Sequence, residues 1–121
     1  MNHCPLRILV VEDEMLLAVF VEGCLIQLGH IVVGPASRVA NALRLVETET
    51  VDFGLLDINI AGEEVYPVAR QLKARGVPFI FMSGYGSSHL RDEWIGRPLL
   101  GKPIDQKMLK ASIETLVRGE A

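Results

Sequence analysis

The sequence predicts an α/β fold, (βα)5, with five parallel strands in one doubly wound sheet between two layers of helices. Three observations predict it. Short apolar runs rich in Val, Ile, Leu and Phe alternate five times with longer stretches of helical spacing. Strands that are apolar almost throughout are buried on both faces, as in parallel sheets, and right-handed crossovers place helices on both sides. A length of 121 residues, half of them hydrophobic and 22% charged, fits one compact domain and is too short for two ordinary ones.

The elements follow in order. "LRILVV" (6–11) is the first strand, and "EMLLAVFVEGCLIQLG" (14–29) is long enough for a helix that Gly29 stops. "HIVVG" (30–34) is the second strand. Ser37 is placed to cap a helix running to about Glu49, with Val39, Leu43 and Val46 on one face. "VDFGLLDI" (51–58) is the third strand, and Val65, Val68, Ala69 and Leu72 mark a helical face ending near Gly76. "VPFIFMSG" (77–84) is the fourth strand, "SSHLRDEWIG" (87–96) makes only a short helix, and "RPLLGKP" (97–103) contains a short fifth strand. Asp105 is placed to cap a last helix whose inner face carries Leu109, Ile113, Leu116 and Val117.

Composition narrows the function. Twelve Lys and Arg against fifteen Asp and Glu give a net charge of −3, without the basic footprint of direct nucleic-acid binding. Cys4 and Cys24 lack metal-ligand spacing and read as reduced thiols of a cytoplasmic protein. Residues 1–6 lack the pattern of a secretory signal, and no apolar run approaches the roughly 20 residues of a membrane helix, so no membrane partner is expected.

In an open parallel sheet the functional crevice lies beyond the carboxyl ends of the strands. There the first strand ends in Glu12 and Asp13, the third in Asp57, the fourth in Ser83, and the fifth in Lys102. Taken singly, each has an ordinary explanation. Glu12 and Asp13 suit a helix N-terminus, Asp57 could be a hydrogen-bonded buried acid, Ser83-Gly84 a turn, and Lys102 a solvated lysine. Together they form a chemical set. Three clustered carboxylates repel one another unless a divalent cation joins them, and Mg²⁺ (or Mn²⁺) takes such oxygen ligands together with phosphate. A carboxylate beside a metal is a competent nucleophile for phosphorus. Lys102 and Ser83 offer a cation and a hydroxyl to phosphoryl oxygens. Asp57 is therefore expected to be phosphorylated by positioning and electrostatics.

The segments "VVEDE" (10–14), "LLDIN" (55–59), "FMSGY" (81–85) and "GKP" (101–103) resemble, in this order, the receiver domain of two-component response regulators. The resemblance covers almost the whole chain, about 6–117, and treats 1–121 as a single receiver domain. It implies a flavodoxin-like fold with strand order 2-1-3-4-5. It implies a phosphoryl group passed to Asp57 from a phosphohistidine on a sensor histidine kinase or a phosphotransfer protein. Glu12 and Asp13 match the acidic pair, Asn59 the position whose backbone carbonyl completes the metal site, and Ser83 and Lys102 the switch hydroxyl and the lysine. "VPFIFMSGYG" and "RPLLGKP" further resemble stand-alone alphaproteobacterial receivers with a Phe-Ala-Thr-Gly-Tyr type motif, with Met82 and Ser83 in place of Ala and Thr. That likeness implies kinases of the HWE or a related type and makes Tyr85 the aromatic expected to respond to phosphorylation.

Several positions depart from the family pattern. Leu99 stands where an aromatic switch residue usually precedes the lysine, Ala61 where a Pro is common, and Gly62 supplies the loop glycine early. Leu90 and Trp94 have helical spacing and are either part of a readout surface or core. His3, His30 and His89 are dispersed, which gives no phosphohistidine relay within the chain. Only residues 118–121 follow the last helix, so a complete chain would act by binding another protein or by passing or draining phosphate, whereas in a fragment an effector would follow Ala121; no enzyme activity is expected. Three alternatives compete. A degenerate receiver that binds partners without phosphate is kept open by Leu99. A haloacid-dehalogenase-type phosphatase would place its nucleophile on the first strand. A flavin-binding module would need a phosphate-cradling loop where "EDEML" offers acids.

Overall fold

The computed structural model describes residues 5–84 and 90–117, with Asp92 described by its backbone alone. Five parallel strands, β1 (Arg7–Val11), β2 (Ile31–Ala36), β3 (Phe53–Asp57), β6 (Phe79–Ser83) and β7 (Leu99–Gly101), form one sheet in the order β2-β1-β3-β6-β7. This is the expected order 2-1-3-4-5. The numbering jumps because a two-stranded hairpin, β4 (Asn59–Ile60) and β5 (Glu63–Glu64), follows β3. The helices are α1 (Met15–Gln27), α2 (Val39–Thr48), α3 (Tyr66–Ala74) and α4 (Gln106–Val117). Between β6 and β7 the described residues show one 3₁₀ turn, Asp92–Trp94, and residues 87–89 of the short helix expected over 87–96 lie outside the described residues. No helix among the described residues is long and apolar enough to cross a membrane.

Side-chain alternation along the strands divides the core into two layers. Leu9, Val11, Leu56, Phe79 and Phe81 face α2, α3 and Trp94. Ile8, Val10, Phe53, Leu55, Ile80, Met82 and Leu100 face α1 and α4. Val65, Val68, Ala69 and Leu72 are all buried, as their spacing requires. Gly29 and Gly76 end α1 and α3 with φ of 91° and 72°, a left-handed conformation that glycine takes without a Cβ clash. At both ends the last carbonyls are closed in the Schellman pattern, His30 N–H to Leu25 O and Val77 N–H to Leu72 O, each at 2.9 Å. Asp105 caps α4 through a 2.8 Å bond from the Met108 N–H.

Four local expectations are corrected. The residue capping α2 is Arg38 rather than Ser37, in extended conformation and without a side-chain cap bond. Strand β2 runs on to Ala36 because the ladder resumes after an irregularity, pairing Val11 with Ala36. Val117 is 51% exposed and lies off the inner face of α4. Helix α1 is not amphipathic: Ala18, Val21, Cys24 and Leu25 are buried, while Met15, Leu16, Val19, Phe20 and Ile26 face outward.

Leu90 and Trp94 belong to the core, with 6% and 1% exposure, so they do not form a readout surface. Trp94 stacks on Tyr66 (6.0 Å, 8°) and meets Phe79 and Phe81 edge-on at 5.8 and 5.7 Å. Cys24 is a buried free thiol whose pKa burial pushes up. His30 has a structural role, accepting the Leu6 N–H at Nδ1 (3.1 Å). Cys4, His3, His89 and residues 118–121 lie outside the described residues. Trp94→Ala should cost about 3–5 kcal/mol in urea denaturation. Ile95→Ala, at a neighbour 66% exposed, should cost less than about 0.5 kcal/mol. Equal, small effects would show that the aromatic cluster is not a true core.

Candidate functional site

The sheet register assembles the site. Val11 pairs with Leu56, so the residues that follow each, Glu12 and Asp57, leave neighbouring strands side by side. Asp57 in turn pairs with Met82, next to Ser83. Ser83 pairs with Gly101, and its carbonyl accepts the Lys102 N–H at 3.0 Å. The Glu12 N–H continues the ladder to Ala36 O at 2.9 Å, which fixes its backbone. Asp57, Asn59, Ser83, Gly84 and Lys102 line a cleft of about 370 Å³ at this edge.

The charges there are packed closely. Lys102 Nζ lies 3.2 Å from Asp57 Oδ2 and 3.3 Å from Glu12 Oε1. Glu12 is 2% exposed; its Oε2 accepts the Glu14 N–H at 3.0 Å, whereas Oε1 has the ion pair but no hydrogen bond of good geometry. Burial, reinforced by the charge of Asp57, pushes the Glu12 carboxyl up to about 7, against the opposing pull of the Glu14 N–H and Lys102. Burial alone would lower Lys102, but Asp57 and Glu12 together outweigh it and hold the ammonium above its usual range. Carboxylate oxygens of Glu12, Asp13 and Asp57 lie within 4.8 Å of one another. An all-oxygen set with one buried oxygen lacking a hydrogen bond suits a small hard cation such as Mg²⁺.

The structure thus brings Glu12, Asp13, Asp57, Ser83 and Lys102 to one edge, with Asn59 at the start of the hairpin lining the same cleft. Tyr85 lies outside the described residues. Leu99 is half-buried, pairs with Phe81 and packs against the core. The hairpin escaped the sequence reading. Its turn residues Ala61 and Gly62 have φ of 52° and 84°, the doubly left-handed geometry of a type I′ turn. The usual signal, Asn-Gly or Asp-Gly, is absent; only the Ala-Gly pair marks it. A proline could not take this place, since its ring fixes φ near −65°.

Comparison with known proteins agrees with this geometry. The family described as "Response regulator receiver domain" matches residues 8–114. The solution structure of SdrG from Sphingomonas melonis Fr1 is 35% identical, with a TM-score of 0.85 over 96% of this chain and 99% of that one. The receiver domain of sensor histidine kinase PA1611 from Pseudomonas aeruginosa PAO1 was solved with a magnesium ion coordinated in its active site cleft. At 24% identity and a TM-score of 0.78, over 92% of this chain and 96% of that one, it is a relative by fold. Among curated proteins, the uncharacterized transcriptional regulatory protein YbdJ of Bacillus subtilis (strain 168) is 29% identical over 107 residues. The match takes in 85% of this chain and 47% of YbdJ, so the chain spans about half the length of that relative.

The raised Glu12 pKa sets a pH dependence. Between pH 4.5 and about 7 the folded metal-free protein holds a proton that the unfolded chain has released, so stability falls as pH rises through this window. In the presence of a chelator, the urea midpoint should drop from pH 5 to pH 8, and Glu12→Gln should flatten that slope. An unchanged slope in Glu12→Gln would remove Glu12 as its source.

Proposed function

Because the chain belongs to the response regulator receiver domain family of two-component signalling, we propose that Asp57 accepts a phosphoryl group in a Mg²⁺-dependent step and that the product signals by protein–protein contact. The observation that carries this reading is the convergence of Asp57, Lys102, Glu12 and Asp13 at the carboxyl edge of the sheet.

The donor is a phosphohistidine of a sensor histidine kinase, of the HWE or a related type, or of a phosphotransfer protein. An Asp57 carboxylate oxygen attacks phosphorus in line with the departing imidazole. The new O–P bond forms as the N–P bond breaks, and its electron pair returns to the imidazole nitrogen. Glu12, Asp13, Asp57 and the Asn59 carbonyl would hold Mg²⁺, whose charge offsets that of the phosphoryl group. Lys102, already 3.2 Å from Asp57 Oδ2, follows the incoming oxygens as a mobile cation. Buried Ser83, in the lining of the same cleft, donates its hydroxyl to a phosphoryl oxygen. Phosphorylation then biases the segment after β6 through new charge-assisted hydrogen bonds. The chain acts as an acceptor rather than as an enzyme, in the cytoplasm, with a downstream protein as its target.

Intact mass after incubation with Mg²⁺ and acetyl phosphate tests this. The wild type should gain one phosphoryl group and Asp57→Asn none, while Lys102→Ala should label roughly 10²-fold more slowly, the usual effect of losing one preorganised donor. Label persisting in Asp57→Asn would place the acceptor elsewhere. No label, even with histidine kinases supplied, would favour a receiver that binds partners without phosphate.

A further inference from the structure

We propose that the β4–β5 hairpin is a positioning element for the cation site and that the backbone N–H of Ala61, at its tip, orients the Asp13 carboxylate toward Glu12 and Asp57. The inference rests on reading the acidic cluster as a Mg²⁺ site.

Asp13 is the exposed member of the cluster and sits in the loop between β1 and α1. An exposed loop carboxylate samples several rotamers unless something holds it. Here Asp13 Oδ2 accepts the Ala61 N–H at 2.9 Å, across 48 residues of sequence. A carboxylate has two oxygens and about four acceptor positions, so one hydrogen bond leaves room for a cation. Hydrogen bonds to ligating carboxylates are how metal sites fix their ligands.

The hairpin is built to present that N–H. Ala61 is the one non-glycine among the described residues with a positive φ. A side chain keeps this backbone conformation only where its surroundings over-determine it. Asn59 pairs with Glu64 and Ile60 with Glu63, and the Ile60 side chain is fully buried. The Val65 N–H closes the base of the hairpin on Ile58 O at 2.8 Å. Glu64 Oε1 accepts Nε and Nη2 of Arg91 at 2.9 and 2.6 Å, which ties the hairpin to the segment beyond the cleft. Asn59, at the other end of the hairpin, lines the cleft itself. The hairpin therefore spans from the β1–α1 loop to the segment before β7, and Asp13 is held at one end of that span.

Calorimetric titration with Mg²⁺ compares the wild type with Ala61→Pro, which has neither the N–H nor the φ, and with Ala61→Gly, which keeps both. Ala61→Pro should bind Mg²⁺ about 10- to 100-fold more weakly, and Ala61→Gly within about twofold of wild type. Equal affinity in a folded Ala61→Pro would overturn the proposal. Amide hydrogen exchange on the wild type gives a test that needs no variant. The Ala61 N–H should stay protected when Mg²⁺ binds. Loss of protection would show that hydrogen bond and ion compete for Asp13, which also overturns it. A wild type that binds no Mg²⁺ would defeat the cation reading itself, an outcome distinct from either of these.

Discussion

Glu12 and Asp57 leave adjacent parallel strands out of water, and one ammonium, Lys102, answers both at 3.3 and 3.2 Å. Much of the structure serves that balance. Two negative charges this close and this buried are costly, and one cation cancels only half of the excess. The remainder shows in the carboxyl of Glu12, pushed up to about 7, and in its Oε1, which lacks a hydrogen bond. Between these two carboxylates and Lys102 the edge is thus held short of one positive charge, the imbalance that a bound cation would offset. The parallel register across β1, β3, β6 and β7 delivers all the participants to that edge from residues far apart in sequence.

The fold was largely legible because the strands are apolar on both faces and separated by helical spacing. Leu9 and Ile8, or Phe81 and Ile80, enter opposite core layers, and neither layer tolerates a polar residue there. The site was legible for the same reason: Asp57, Glu12 and Ser83 are polar residues where such strands end. What stayed hidden depends on backbone geometry rather than on side-chain type. No pattern marks Ala61 as left-handed, and its hydrogen bond to Asp13 comes from a main-chain N–H that every non-proline residue possesses. Ser37 misled because capping preference is a weak local signal, and the chain entered α2 one residue later. Trp94 and Leu90 were ambiguous because helical spacing does not say which side is wet, and only the aromatic surroundings decide it.

Helix α1 carries another tension. It begins beside the acidic pair and is apolar on both sides, with Leu16 at 83% and Met15 at 78% exposure. Val19, Phe20, Val21, Gly23 and Ile26 are weak helix formers, so packing rather than propensity sustains this helix, and its outer face gains nothing from the core. Local stability there comes from its inner face, where Val21 and Leu25 are fully buried.

Trp94 is the single tryptophan of the chain, and it sits at 1% exposure against Tyr66, Phe79 and Phe81, with Arg97 and Lys73 over its ring at 5.6 and 5.8 Å. The protein therefore carries its own optical gauge. An indole walled off from water emits to the blue and resists collisional quenchers, and two nearby cations make its colour sensitive to their exact placement. Its emission reads the seam between α3, β6 and the 90–97 segment with no label attached.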